Sequence, residues 1–262
     1  MSKLRVLIHG ALGKMGQAVI TALGQEPDME LVGAVDINTV SDSLSVPNSV
    51  VPLSSSIVDM LEAQYPDVVV DFSTAKAMQH LSHVVLSHKV RLVSGTTGLN
   101  QDDLSVVASL AKEHYTGAII ASNFAIGALL MIHLSKIAAK YFDYADIIEE
   151  HHQFKLDAPS GTALSTAKYM IQARGKAFIT PEQKDGQHES RGQQLDGISI
   201  HSVRTPGIVA RQEVLLGATG QTLSIKHDAI DRSCYMPGVI LSIREVSKHN
   251  GLIIGLEQLL GL

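Results

Sequence analysis

Residues 149–163 read EEHHQFKLDAPSGTA and place two histidines, a lysine and an aspartate within seven positions. The Pro159-Ser160-Gly161-Thr162 turn comes directly before a helix pattern, so its backbone N–H groups predict a small anion-binding seat. His151, His152 and Lys155 lie just upstream and can add charge-assisted hydrogen bonds in the same pocket. One of them can also donate the proton that accompanies a hydride transfer. The stretch predicts a site for an anionic substrate, and a dicarboxylate would use all of these groups.

These residues also have structural interpretations. Histidine occurs twelve times in the chain, and Asp157 and Ser160 suit turn and capping positions. Glu149, Glu150 and the two histidines are possible metal ligands, but neither an i, i+4 histidine pair nor a cysteine accompanies them. We therefore predict no metal site.

A second group of candidate residues lies near the start, where VLIHGALGKMGQAVI has Gly10, Gly13 and Gly16 between a strand and a helix pattern. Glycines allow a sharp turn and let a pyrophosphate approach the backbone, and the helix N-terminus attracts the phosphates. Asp36 ends the next strand pattern, 20 residues after Gly16, where an acid can accept hydrogen bonds from ribose hydroxyls. This arrangement predicts a dinucleotide site.

Two further polar segments follow strand patterns, SGTTG at 94–98 and ASNF at 121–124. Ligands of open α/β sheets collect outside the carboxyl ends of the strands. Position alone supports a role beside the nicotinamide and an ordinary turn equally well.

The elements that position these residues change in character along the chain. In the first half, near-continuous apolar strands alternate with helix patterns, which predicts a parallel sheet covered on both faces. The predicted strands are 4–9, 30–36, 67–72, 90–95 and 117–122, and the predicted helices are 14–25, 56–65, 74–88 and 101–114.

The second half has fewer helices and several successive strand patterns. It predicts, in order, a helix at 125–142, a strand at 145–152, a helix at 162–175, a surface loop at 181–197, strands at 198–204, 211–218 and 221–229, and a last helix at 236–249. The fold class is therefore α/β: a doubly wound parallel sheet, plus a second α+β domain with a mostly antiparallel or mixed sheet. The first domain spans 1–124 and is completed by 232–262, and the second spans 125–231.

Composition excludes several functional classes. The net charge of −5 and the lack of a basic stripe argue against nucleic-acid binding. The chain has no run of 18 apolar residues, so the sequence predicts no membrane span. Cys234 is the single cysteine, and the N-terminus lacks the pattern of a signal peptide, so we expect a cytoplasmic protein.

The stretch EEHHQFKLDAPSGTA resembles the signature E-x-H-H-x-x-K-x-D-A-P-S-G-T-A of the dihydrodipicolinate reductase (4-hydroxy-tetrahydrodipicolinate reductase) family of bacterial lysine biosynthesis. GALGKMG, VSGTTG and ASNFAIG also match that family in order, so the resemblance covers essentially the whole chain. It implies a Rossmann-like first domain and the reduction, with NADH or NADPH and loss of water, of the hydroxylated tetrahydrodipicolinate made from pyruvate and aspartate semialdehyde.

The resemblance also implies roles for individual residues. His151 is the proton donor, Lys155 is a second catalytic or carboxylate-binding group, and His152, Gly161 and Thr162 hold the substrate beside Ser160 of the anion seat. The residues that hold the cofactor are Gly10, Ala11, Leu12, Gly13, Lys14, Met15, Asp36, Gly95, Thr96, Thr97, Ala121, Ser122, Asn123 and Phe124. The resemblance implies a homotetramer joined through the sheet of the second domain.

Cofactor preference depends on the residues around Asp36. That carboxylate favours NADH, because it accepts the 2′-hydroxyl and repels a 2′-phosphate. Family members often have a basic residue next, where this chain has Ile37. Lys14 is the nearby cation able to reach a 2′-phosphate, so we expect use of both NADH and NADPH with a modest preference for NADH.

Two other functions are compatible with a dinucleotide-binding domain. A Rossmann dehydrogenase acting on another small acid, such as a semialdehyde, needs a nucleophilic thiol, and Cys234 lies far from any such motif. A non-catalytic dinucleotide sensor would not need His151 and Lys155 beside an anion seat.

Overall fold

The computed structural model of the chain describes residues 3–47, 49–182 and 188–262. It divides into two compact units, which we call unit 1 (Met1–Ala125 with Arg232–Leu262) and unit 2 (Ile126–Asp231). The predicted domain boundary at 124/125 lies one residue before this division.

Strands and helices alternate through most of unit 1, whereas unit 2 has several successive strands. Within the described ranges the strands of both units are Leu4–His9 (β1), Met29–Val35 (β2), Ser43–Val46 (β3), Ser49–Ser54 (β4), Val68–Asp71 (β5), Arg91–Ser94 (β6), Gly117–Ile120 (β7), Tyr144–His151 (β8), Gln193–Leu195 (β9), Ile198–Arg204 (β10), Ala210–Ala218 (β11), Gln221–Ala229 (β12) and Gly251–Ile254 (β13). The helices are Lys14–Leu23 (α1), Ile57–Gln64 (α2), Ala75–Ser87 (α3), Gln101–Glu113 (α4), Ile126–Ala138 (α5), Gly161–Arg174 (α6), Met236–Val246 (α7) and Glu257–Leu260 (α8). Short 3₁₀ helices cover Ala139–Tyr141, His188–Arg191 and Arg232–Tyr235.

Unit 1 contains an eight-stranded sheet in the order β13-β7-β6-β5-β1-β2-β4-β3. Neighbouring strands pair in parallel, except that β3 pairs antiparallel with β4. Both β5 and β7 are buried along their whole length, as expected for strands with helices over both faces. Parallel pairing places the carboxyl ends of β1, β2, β5, β6 and β7 at one edge of the sheet, where ligands bind in such folds.

Apolar side chains from the strands and from α3 form a core of unit 1. Leu7, Val69 and Leu92 from three neighbouring strands are fully buried together with Met78 and Val85 of α3. Each such side chain contributes about 1.5–3 kcal/mol by leaving water. This core fixes the strand ends that carry the candidate cofactor residues.

Unit 2 contains a five-stranded mixed sheet in the order β12-β11-β8-β10-β9. The strand β8 pairs antiparallel with β11 and parallel with β10, because α6 crosses between β8 and β10. One face of this sheet packs on α6, and Ile147, Ala167 and Met170 are fully buried there. The central position of β8 holds its last residues rigidly at the start of the candidate substrate site.

The predicted fold class is confirmed, with a doubly wound parallel sheet in unit 1 and a mostly antiparallel, mixed sheet in unit 2. The nine strand and helix patterns of the first half lie within two residues of observed elements at both ends.

Four short strands were not predicted, namely β3, β4, β9 and β13. The surface loop predicted at 181–197 is wrong in part, because Gln193–Leu195 pairs with β10; residues 183–187 of that loop lie outside the described residues. The predicted last helix at 236–249 ends at Val246, and the predicted helix at 125–142 ends at Ala138 and continues as a 3₁₀ turn.

Candidate active site

The glycine turn of unit 1 has the geometry of a phosphate-binding loop. Gly10 has a φ of +76°, a conformation that L side chains rarely adopt. A Cβ on Gly16 would lie 2.3 Å from the carbonyl oxygen of Gly10, so only glycine lets the helix approach the turn. α1 begins after Gly13, and no side chain among the described residues caps its first turn. The N–H groups of that turn point to an anion site.

The other early helices of unit 1 differ from α1 in this respect. Ser56, Thr74 and Asn100 cap α2, α3 and α4 with side-chain oxygens. A cap satisfies the backbone N–H groups that a ligand would otherwise bind. Among these four helices, the one that follows the glycine turn is the one without a side-chain cap; the later helices α7 and α8 also begin without one among the described residues.

Asp36 lies just past the end of β2 and is 8% exposed. Its Oδ2 accepts a hydrogen bond from the backbone N of Leu12 at 3.0 Å, and its Oδ1 accepts one from the N of Asn38 at 3.0 Å. These contacts join the acid to the glycine turn, and each carboxylate oxygen keeps a further lone pair for a ligand hydroxyl. Ile37, beside it, is 82% exposed.

The predicted residues of the loops after β6 and β7 occupy neighbouring strand ends. Gly95 and Thr96 follow β6, where the Gly95 N donates to the Asp71 carbonyl at 2.9 Å. Ala121 follows β7, and its N donates to the Ser94 carbonyl at 3.0 Å. The ring of Phe124 is buried. The two loops are therefore tied to each other through the sheet, with Thr97 and Ser122 exposed beside them.

Asp71, at the end of β5, was not predicted, although its side chain connects several of these loops. It is fully buried, and its carboxylate accepts four side-chain hydrogen bonds. Oδ1 accepts from Ser73 Oγ at 2.6 Å and contacts His9 Nδ1 at 2.7 Å, whereas Oδ2 accepts from Ser94 Oγ at 2.8 Å and Thr96 Oγ1 at 2.7 Å. One buried carboxylate thus joins the ends of β1, β5 and β6.

The aromatic ring next to Asp71 explains the glycine at position 95. A Cβ on Gly95 would lie 2.0 Å from the ring of Phe72, so any larger residue would displace that ring. Phe72 also packs against Phe124, with ring centroids 5.7 Å apart and planes tilted by 57°. The loop after β6 is therefore held by hydrogen bonds to Asp71 and by packing of Gly95 against the Phe72 ring.

In unit 2, Glu149 and His151 lie near the end of β8 with both side chains on one face of the strand. The Glu149 side chain is fully buried, and its Oε2 lies 2.5 Å from His151 Nδ1. Arg204, at the end of β10, donates from Nη2 to Oε1 at 2.9 Å and from Nη1 to Oε2 at 3.0 Å. The backbone N of Ser160 donates to Oε1 at 3.2 Å. Glu149 therefore connects the candidate proton donor to the candidate anion seat.

The same hydrogen bonds keep Glu149 ionised. Burial acts to raise the pKa of this carboxyl, but the hydrogen bonds from His151, Arg204 and Ser202 outweigh it and lower the pKa from 4.5 to about 2. The group is a carboxylate at every physiological pH.

The anion seat is the N-terminus of α6. Ser160 is its N-cap, and the Ser160 Oγ accepts from the N of Ala163 at 3.2 Å. Gly161 is exposed, and no described atom lies within 4 Å of the place a Cβ would occupy there. Thr162, the second residue of the helix, is half-buried. The Ser160 cap uses the N–H of Ala163, so the N–H groups of Gly161 and Thr162 are the ones open to an anion.

Lys155 and His152 lie in the turn between β8 and α6. Lys155 Nζ lies 2.8 Å from the Oδ1 of Asp157, and this hydrogen bond holds the pKa of Asp157 below its ordinary value. The Nδ1 of His152 is buried with no hydrogen-bond partner among the described residues. Both side chains thus have capacity to bind a ligand, although Asp157 competes for the lysine.

The predicted residues fall into two groups, one in each unit. The glycine turn, Asp36 and the loops after β6 and β7 lie at one edge of the sheet of unit 1, and residues 151–162 lie together in unit 2. Sequence reasoning missed Asp71 and Arg204, and it considered Glu149 only as a metal ligand. The signal that could have identified them is a charged residue at the end of a strand pattern that is otherwise apolar or rich in β-branched residues.

Neither a metal-binding cluster nor a membrane-spanning helix occurs among the described residues. No group of three or more His, Cys, Asp or Glu side chains within them is arranged to hold a metal ion. In the same part of the chain, no helix is long and apolar enough to cross a membrane.

Comparisons with known proteins agree with one another. The family model described as dihydrodipicolinate reductase, N-terminus, matches residues 4–124, and the one described as dihydrodipicolinate reductase, C-terminus, matches residues 127–260. A 4-hydroxy-tetrahydrodipicolinate reductase of Dehalococcoides mccartyi (strain CBDB1) is 47% identical over all of both chains. One of Listeria monocytogenes serotype 4b (strain CLIP80459) is 43% identical over 98% of this chain and 100% of its own.

Solved structures give the same result. The dipicolinate-bound dihydrodipicolinate reductase of Paenisporosarcina sp. TG-14 has a TM-score of 0.87 at 38% identity, over 98% of this chain and 99% of that one. An amine dehydrogenase of Mycobacterium smegmatis, at 12% identity and a TM-score of 0.62 over 96% of this chain and 95% of its own, shares the fold alone. Both domains, the relatives and the arrangement of strands lead to one conclusion: the chain belongs to the dihydrodipicolinate reductase family.

Proposed function

We propose that the protein reduces 4-hydroxy-tetrahydrodipicolinate to tetrahydrodipicolinate with NADH or NADPH and loss of water, in the diaminopimelate pathway to lysine. The observation that carries this proposal is in unit 2, where a histidine anchored by a buried carboxylate adjoins the N-terminal turn of α6, Lys155 and His152. That combination suits a dicarboxylate that must receive a proton. Membership of the reductase family supports the same reaction.

The residues of unit 1 fit a nicotinamide dinucleotide. The first turn of α1 has no side-chain cap among the described residues, and Gly10 and Gly16 leave the backbone exposed to a pyrophosphate. Asp36 has free lone pairs for ribose hydroxyls, and Gly95 to Thr97 and Ala121 to Phe124 lie at neighbouring strand ends for the nicotinamide side. The bound cofactor supplies the hydride.

The chain's own residues supply the proton and hold the substrate. The overall change adds one hydride and one proton to the substrate and releases one water. His151 gives the proton, and Lys155 binds a substrate carboxylate and stabilises charge during the reaction. The backbone N–H groups of Gly161 and Thr162, with Ser160 and His152, bind the remaining carboxylate oxygens.

The proposal includes a modest preference for NADH over NADPH. Asp36 has its carboxylate fixed by Leu12 and Asn38, so it cannot turn away from a 2′-phosphate. Exposed Ile37 offers that phosphate no charge, and exposed Lys14 offers a single flexible one. An exposed pair of that kind is worth up to about 1 kcal/mol, roughly a fivefold effect.

The proposal also includes a cytoplasmic homotetramer joined through the sheet of unit 2. The face of that sheet opposite α6 carries apolar side chains that stay partly exposed in the single chain, namely Tyr144, Ile148, Val203 and Leu215. Contact with other copies would cover them. Sedimentation of the purified protein tests this part, and a monomer at micromolar concentration would contradict it.

The reaction is tested by mixing the protein with NADH and substrate freshly made from pyruvate and aspartate semialdehyde. A reductase consumes NADH at once, a sensor binds NADH without consuming it, and a semialdehyde dehydrogenase acts on the semialdehyde alone. His151→Gln should lower kcat by roughly 10²–10⁴ with a smaller change in KM. A kcat within threefold of the parent would contradict the role of His151.

A further inference from the structure

We infer that Glu149 is a positioning residue, which holds a proton on the Nδ1 of His151 and thereby makes Nε2 the nitrogen that gives its proton to the substrate. The inference rests on the proposed function, in which His151 is the proton donor. The inference goes beyond that role in two respects: it fixes the orientation of the His151 ring, and it identifies Nε2 as the nitrogen that donates the proton.

The buried carboxylate of Glu149 determines which ring nitrogen of His151 carries a hydrogen. An ionised carboxylate accepts hydrogen bonds and donates none. The Glu149 Oε2 lies 2.5 Å from His151 Nδ1, so Nδ1 must carry a hydrogen whether the ring is neutral or protonated. Nε2 is the nitrogen that gains and loses the exchangeable proton.

The Glu149 carboxylate is held in place as well as kept ionised. Arg204 binds both of its oxygens, at 2.9 and 3.0 Å, and the Ser160 N–H binds Oε1. Donor groups from β8, β10 and the start of α6 surround one fully buried carboxylate. The carboxylate cannot rotate away without leaving several of these buried donors unsatisfied.

A glutamine at position 149 has the same shape as the glutamate but only one acceptor oxygen. One orientation of the amide keeps its oxygen toward Ser160 N–H and turns its NH₂ group toward His151. This orientation also sets the NH₂ group against one fixed donor, Arg204 Nη1. The opposite orientation sets it against two donors that cannot change, the Ser160 N–H and Arg204 Nη2. A histidine can adapt by moving its proton from Nδ1 to Nε2, so the first orientation is favoured.

In Glu149→Gln, the neutral ring would therefore carry its hydrogen on Nε2 and accept at Nδ1. Protonating such a ring would bring an Nδ1–H against the amide NH₂ group, so the acid form needed for catalysis is disfavoured. The Ser160 contact survives, and with it the anion seat. The variant should separate kcat from substrate binding, whereas loss of the fold would harm both.

The experiment compares the parent with Glu149→Gln, Glu150→Gln and Arg204→Lys. Glu150 is the adjacent residue of β8, lies on the opposite face of the sheet and pairs with Arg211 at 3.3 Å, so its variant is a matched control. Arg204→Lys disturbs the same network but keeps the acceptor for Nδ1. The readouts are ¹⁵N NMR of the His151 ring, kcat and KM with NADH, and the Kd of dipicolinate.

We expect the parent, Glu150→Gln and Arg204→Lys to show His151 with hydrogen on Nδ1, and Glu149→Gln to show it on Nε2. The kcat of Glu149→Gln should fall at least about 100-fold, with the Kd of dipicolinate within about fivefold of the parent. Assignment of the ring signals uses their absence from the spectrum of His151→Gln.

Two results would overturn the inference. One is a parent or Arg204→Lys spectrum in which the neutral ring of His151 carries its hydrogen on Nε2, a result that needs no folded glutamine variant. The other is a folded Glu149→Gln with the kcat of the parent. Failure of the proposed function is a separate result. In that case the parent would not consume NADH with the substrate, whichever nitrogen of His151 carries the hydrogen.

Discussion

Replacing Asp71 by asparagine tests whether the buried carboxylate at the end of β5 supports cofactor binding. The change keeps the shape of the side chain but turns one acceptor oxygen into a donor. Four side chains, from His9, Ser73, Ser94 and Thr96, make hydrogen bonds to that carboxylate. Two of the four lose their acceptor in the variant and must reorient.

The magnitude follows from these contacts. A hydrogen bond to a charged group contributes about 1.5–3 kcal/mol, and a neutral one about 0.5–1.5 kcal/mol. With two bonds lost or weakened, we expect the free energy of unfolding to fall by about 2–4 kcal/mol. Fixing the backbone of one loop residue costs roughly 1–2 kcal/mol. A loop that must be ordered again at Thr96 therefore raises the Kd of NADH roughly 5- to 30-fold.

The assay is a fluorescence titration of NADH, with urea unfolding measured on the same samples. The matched control is Asp67→Asn, at the opposite end of the β5 region, where the carboxylate accepts one hydrogen bond from the backbone N of Arg5 at 2.9 Å. We expect the control to bind NADH within about twofold of the parent. If Asp71→Asn loses stability but binds NADH as tightly as the control, Asp71 supports the fold alone and the reasoning is refuted.

Three other predictions concern both sites. Lys155→Ala should weaken dipicolinate binding roughly 10- to 100-fold and lower kcat, because a charge-assisted contact is lost; unchanged binding would exclude Lys155 as a carboxylate ligand. Ile37→Arg should shift the ratio of kcat/KM toward NADPH by about fivefold, and an unchanged ratio would place the 2′ position elsewhere. The lowered pKa of Glu149 stabilises the fold above pH 4.5, and this contribution is lost as the pH falls from 4.5 toward about 2. Urea unfolding should show that the stability of Glu149→Gln falls less than that of the parent over this interval; equal losses would contradict the shift.

Much of unit 1 could be predicted because its strands are buried on both faces. An apolar run such as VVVDF, bounded by helix patterns, indicates a central parallel strand, and β5 lies where that run predicts. The glycine turn carries its own signal, since the φ of Gly10 and the close approach at Gly16 admit no other residue. Local sequence determines these features directly.

The missed features depend on partners distant in the chain. Arg204 reaches Glu149 only because β10 pairs in parallel with β8 and aligns Arg204 with His151. Asp71 meets Ser94 and Thr96 through the pairing of β5 with β6. β13 has only four residues and no periodicity that distinguishes it from a loop, so its pairing with β7 was not predictable.

The place of β13 in the sheet has a consequence for synthesis on the ribosome. β13 covers the outer edge of β7, yet it follows the whole of unit 2 in the sequence. At about 5–20 residues per second, β7 precedes its partner by on the order of ten seconds. During that time the nascent chain presents an unpaired strand edge, which is a template for pairing with other chains. Unit 1 is thus begun first and completed last. Conditions that slow translation of unit 2 lengthen the period in which the nascent chain is prone to aggregation.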